Sequence, residues 1–115
     1  MGVVMEHRFR TIGHFLRALL RRPDQYKRFD VSPGWAVDAL GFHRSRVPQL
    51  IDQGDLDAVR CDDGIVLLDQ REVMAYKRAV LMLPSRERIR AGRQWRAKKA
   101  ATLASTDDIF GESVA

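Results

Sequence analysis

Arg44, Ser45, Arg46 and Gln49 stand together in the stretch HRSRVPQ, directly after His43. These side chains carry the donors and acceptors that read base edges. A guanidinium bonds guanine in bidentate fashion and a carboxamide does the same with adenine, each pair contributing ~1–3 kcal/mol of discrimination. Val47, Leu50 and Ile51 recur at i, i+3 and i+4, so a helix here turns those three inward and leaves the polar set outside. A second concentration of chemistry lies in residues 86–99, RERIRAGRQWRAKK. Arg86, Arg88, Arg90, Arg93, Arg96, Lys98 and Lys99 are cations suited to phosphate oxygens. Catalytic patterns are missing. The chain has no glycine-rich phosphate loop, no nucleophile elbow and no metal-spaced cluster, and His7, His14 and His43 lack an obvious carboxylate partner. The sequence predicts a binding protein rather than an enzyme, with no cofactor and no metal. Cys61 is the one cysteine, read as a half-buried strand residue of a reducing compartment.

The placement of charge sharpens the expectation. The 115 residues carry a formal net charge of +5, and that length suits one domain. Residues 1–30 hold seven Lys/Arg against three Asp/Glu, and residues 31–76 hold four against eight. Residues 77–99 hold nine against one, and residues 100–115 add three carboxylates. An acidic middle thus lies between basic flanks, to which a polyanion is drawn first. The non-polar run Gly2-Val3-Val4-Met5 is too short for a signal-peptide core, and no run approaches a membrane span. The expected setting is cytoplasmic and nucleoid-associated, with no membrane partner.

The elements that must position these residues are legible by period. TIGHFLRALLRRPD predicts a helix ended near Pro23, with Ile12, Phe15, Leu16, Leu19 and Leu20 at helical spacing. That face either packs on the domain behind it or joins two copies in a homodimer or cooperative oligomer. DQYKRFD reads as a polar connector. Ser32 and Pro33 open a second helix as cap and first residue, and Gly41 closes it. With Ser45 as cap, the third helix carries Pro48 in its first turn, where backbone N–H groups have no intrahelical partner. Asp63-Gly64 between alternating apolar runs predicts a two-residue hairpin. Asp69 and Glu72 then form a D-x-x-E capping box, Pro84-Ser85 breaks the helix that follows, and a basic last helix runs to residue 104. Residues 105–115 read as a flexible tail. The organisation expected is an N-terminal helix and connector over 1–30, a central domain over 31–83 and the basic helix over 84–104.

Helix, turn, helix, hairpin, helix is the order of a winged helix-turn-helix. Residues 32–76 resemble the excisionase-type domain, a relative of the MerR DNA-binding module, through Ala36, Leu40, Gly41, Val47, Leu50, Ile51, Gly54, Leu56, Ala58 and Tyr76. The fold this implies is mainly α, with a small β-hairpin wing, an extra N-terminal helix and the basic C-terminal helix. It further implies double-stranded DNA as partner, with His43, Arg44, Ser45, Arg46 and Gln49 reading bases and Arg60, Asp63 and Gly64 in the wing. Three departures stand out: Val37 where the family prefers alanine, His43 where it favours a serine cap, and an acidic wing tip at Asp62 and Asp63. Phosphate affinity is therefore expected in residues 86–99.

The resemblance suggests a sequence-specific transcriptional regulator or a recombination directionality factor of bacterial or phage type. Two alternatives stay open. One is a phage DNA-packaging protein of small-terminase type; the other is a winged-helix protein-interaction module, with the basic helix as a solvated or partner-binding face.

Overall fold

The computed structural model describes residues 6–41 and 44–114, with side chains described for 7–41 and 44–102. Its elements in chain order are β1 (Glu6–Phe9), α1 (Ile12–Arg21), α2 (Pro23–Tyr26), β2 (Phe29–Val31), α3 (Pro33–Leu40) and α4 (Arg46–Asp52). They continue with β3 (Ala58–Cys61), β4 (Val66–Asp69), α5 (Gln70–Tyr76) and α6 (Ser85–Val114). A wider π-type turn, Lys77–Leu81, extends α5, and the Met82 N–H donates back to the Lys77 carbonyl at 3.0 Å. The chain is mainly α, with a small mixed sheet.

Local chemistry sets most helix ends. Thr11 Oγ1 accepts from His14 N–H at the start of α1, and Ser32 Oγ accepts from Trp35 N–H at the start of α3. Gly41 follows α3 at φ 71°, a left-handed conformation that costs glycine little. Asp69 caps α5 by accepting from the N–H groups of Arg71 and Glu72.

The four strands form one sheet in the order β1-β3-β4-β2. β1 runs parallel to β3, from Glu6 opposite Ala58 to Phe9 opposite Cys61, and the other pairings are antiparallel. Both strands of the expected wing are therefore inner strands. The N-terminal region holds β1, α2 and the start of β2 besides its helix, where a helix and polar connector were expected. A three- or four-residue strand has too little alternation to announce itself, and its pairing partner lies far along the chain. The hairpin loop also differs. Cys61 N–H donates to Ile65 O at 2.8 Å and Gly64 N–H to Cys61 O at 3.0 Å, so the loop spans Asp62, Asp63 and Gly64. Gly64 takes the left-handed conformation after two aspartates, the pattern of a three-residue bulged hairpin rather than a two-residue turn.

The sheet separates two cores. One face carries Ala58 and Leu68 into a cluster with Ala36, Leu40, Val47, Leu50, Ile51, Val73, Tyr76, Val80 and Ala91, contributed by α3 to α6. The opposite face carries Val59 and Cys61 into a cluster with Phe15 and Phe29, flanked by Phe9, Ile12 and Tyr26. Phe15 is thus a core residue of its own chain and cannot join a partner face. Of the N-terminal apolar set, Leu16 and Leu20 are the exposed members, at 49% and 84%. The last helix continues to Val114, past the residue 104 at which a flexible tail was expected. Ala100, Ala101, Leu103 and Ala104 are strong helix formers, and no proline follows them. Among the described residues, no helix is long and apolar enough to cross a membrane.

Candidate nucleic-acid interface

The candidate reading helix is short for a physical reason. Ser45 is the residue before the first helical one, Arg46, so Pro48 is the third residue of α4, within the first turn. The N–H groups of that turn have no intrahelical acceptor, so proline forfeits no helix bond there. Ser45 keeps a helical backbone and makes no capping bond to the helix. Val47, Leu50 and Ile51 are buried, while Arg44, Ser45, Arg46 and Gln49 are exposed. Arg46 Nη1 donates to Gln49 Oε1 at 3.0 Å, which orients one candidate base reader against another. His43 lies outside the described residues.

The basic helix α6 is seated by its inner face. Ala91 is buried, and Trp95 meets the Tyr76 ring edge-on with centroids 5.5 Å apart. Trp95 Nε1 donates to the Asp55 carbonyl at 2.7 Å. Two of the seven predicted phosphate contacts are then consumed within the fold. Arg96 Nη1 pairs with Asp55 at 2.9 Å, and Lys99 Nζ pairs with Asp57 at 2.6 Å and Glu72 at 3.1 Å. Asp55 is completely buried and Asp57 nearly so, and a buried carboxylate is costly without a cation. Arg96 and Lys99 are accordingly held by carboxylates of the fold. Arg28 completes the cluster, with Asp57 on one nitrogen and Asp69 at 3.2 Å on the other.

Glu72 departs from the capping box that the sequence suggests. Its Oε1 accepts the Asp57 N–H and its Oε2 faces Lys99. Burial pushes the Glu72 carboxyl up to about 7; the Asp57 carboxylate adds to this and Lys99 opposes it. Burial would also raise Asp57, but Lys99 and Arg28 overcome it and hold Asp57 below the ordinary carboxylate value. Asp55 is raised by burial, against the pull of Arg96. None of Arg28, Asp55, Asp57 and Glu72 stood out as a site residue in the sequence. The only local hint was the pair of aspartates in GDLDA, two residues apart and flanking a leucine.

The remaining cations are sorted by helical phase. Arg86, Arg90 and Arg93 recur at i, i+4 and i+7, on the side of α6 away from Trp95, and all three are exposed. Among the described residues they make no ion pair. Lys98 is exposed as well. Arg88 turns back across the break, its Nε donating to the Leu83 carbonyl at 2.9 Å. A groove of about 260 Å³ joins this helix to α4, with Arg46, Tyr76, Arg88, Ile89 and Arg96 among its walls.

The residues expected in a wing are engaged within the fold. Arg60 Nη2 reaches Asp52 at 3.5 Å, and Asp63 Oδ2 accepts the Ile12 N–H at 3.1 Å, capping α1 from the hairpin tip. Gly64 shapes the turn. No family model, curated relative or solved structure matches this chain.

Proposed function

We propose that the chain is a double-stranded DNA-binding protein of the excisionase and MerR-like winged helix-turn-helix kind. Its role is that of a transcriptional regulator or recombination directionality factor rather than an enzyme. The observation that carries this reading is the junction of α4 with α6: Arg46 and Arg88 line one groove, and Arg86, Arg90 and Arg93 are exposed on the outer side of the same helix. In this reading α4 offers Arg44, Ser45, Arg46 and Gln49 to base edges while the α6 stripe holds phosphates. The order α3, glycine turn, α4, hairpin, α5 supports the same class. The hairpin contributes little phosphate affinity, because β1 covers one of its edges and Asp62 and Asp63 sit at its tip.

The acidic count of residues 31–76 favoured a protein-interaction module. Burial weakens that argument: Asp55, Asp57, Asp69 and Glu72 are turned inward against Arg28, Arg96 and Lys99. The surface of the middle segment is less acidic than its composition.

Fluorescence anisotropy with a random-sequence duplex tests the reading. Each phosphate neutralised contributes about −0.9 to the slope of log K against log salt. Replacing Arg86, Arg90 and Arg93 by glutamine is expected to flatten that slope by about 2 to 3. A wild-type protein that binds no duplex even at low salt would overturn the proposal in favour of the protein-interaction module.

A further inference from the structure

On the other side of the sheet, α1 and α2 enclose a groove of about 400 Å³ with no role in the duplex surface. Its walls are His14, Arg17, Arg21 and Arg22, and its floor is Phe9 and Tyr26. No carboxylate lines it, and among the described residues the three arginines make no ion pair. Three guanidinium groups gathered without an anion repel one another, an arrangement that a polyanion relieves. The two rings are half-buried and held edge-to-face 5.6 Å apart, and Tyr26 meets Phe15 in the same way at 6.0 Å. His14 engages Thr11 through Nδ1 at 2.8 Å, which leaves Nε2 as its other polar atom.

We propose that this groove binds a single-stranded nucleic-acid segment, with its phosphates along α1 and an unpaired base against Phe9 and Tyr26. Arg17 and Arg21 share one face of α1 and stand about 6 Å apart along its axis, with His14 one turn earlier. That spread suits successive phosphates of a strand rather than one isolated phosphate. The aromatic floor selects an unpaired base, because a duplex keeps its base faces stacked inside. The sheet with its two cores stands between this groove and the α4–α6 surface, so the site functions whether or not the duplex reading holds.

The test uses the full chain and a fluorescein-labelled oligothymidylate decamer, read by anisotropy. Arg17→Gln with Arg21→Gln changes exposed side chains and is expected to weaken decamer binding about ten-fold or more. Duplex binding by the same variant is expected to change less than about two-fold, and Arg86→Gln with Arg90→Gln and Arg93→Gln is expected to spare the decamer. A decamer carrying 5-iodouridine is expected to photocrosslink to Phe9 or Tyr26. Equal losses of decamer and duplex in the Arg17 and Arg21 variant would overturn the proposal, making the groove part of a general cationic surface. Adenosine monophosphate displacing the decamer at equal phosphate concentration would overturn the strand and assign the groove to a free nucleotide. A wild-type chain that does not bind the decamer at low salt would overturn it outright.

Discussion

Glu72 is half-buried and shares one Lys99 ammonium with buried Asp57; burial raises its carboxyl against the pull of that cation and makes it a pH-sensitive residue of the fold. The Glu72 carboxyl stands at about 7 in the folded chain and near 4.5 when unfolded. Between those values the folded state binds the extra proton, so stability falls as pH rises from about 4.5 to 7 and is level above that range. The effect is on the order of 3 kcal/mol, one pKa unit being about 1.36 kcal/mol. Asp57 acts in the opposite sense and in a lower window: its depressed value contributes stability that is lost as pH falls below about 4. Glu72→Gln keeps an acceptor for the Asp57 N–H and removes the titration. Urea melts across pH 5 to 7.5 should show stability falling more steeply with pH in the wild type than in the variant, where raised Asp55 and lowered His7 still contribute with opposite signs. A slope unchanged by the substitution would place the titrating group elsewhere.

At the scale of an element, α4 is an unusual helix: seven residues, an uncapped start and a proline in its first turn. Its stability comes from Val47, Leu50 and Ile51 in the core rather than from propensity. Pro48→Ala should shift unfolding stability by less than about 1 kcal/mol, because the proline N has no intrahelical acceptor to lose. Melts of the two proteins check this. A gain of about 3 kcal/mol would mean that the proline opposes a helix interior.

Across the whole molecule, α6 is both surface and support. Its outer stripe of Arg86, Arg90 and Arg93 is free to meet an anion, while Ala91, Trp95, Arg96 and Lys99 complete a core and neutralise Asp55, Asp57 and Glu72. A chain ending at Pro84 would strand those carboxylates in a low-dielectric setting, a loss of about 3–5 kcal/mol for one broken buried pair alone. Such a truncation should lose its cooperative melt by circular dichroism, and its failure to bind DNA would then say nothing about phosphates. A truncated chain that melts as the full one does would show that α6 is dispensable to the fold.

Much of this organisation was local and therefore written in the sequence. Ser32 and Pro33 start α3, Gly41 stops it, Pro48 is confined to a first turn, and Asp69 caps α5, each through atoms within a few residues. The succession of α3, a glycine turn, α4 and the hairpin follows from such signals. The candidate interface was only half legible. Helical spacing spreads the seven cations of residues 86–99 around the axis, and it could not say which face of α6 would meet the domain. That depended on Asp55, Asp57 and Glu72, which lie 41, 42 and 27 residues from their cations. Glu72 likewise had a partner nearby, the start of its own helix, and took a distant one instead. The strand β1 is the extreme case: four residues with no period of their own become a strand because β3 presents an edge some fifty residues later. Propensity acts over a turn or two, whereas a buried charge or an open sheet edge takes whatever the folded chain brings to it, and only the tertiary structure decides what that is.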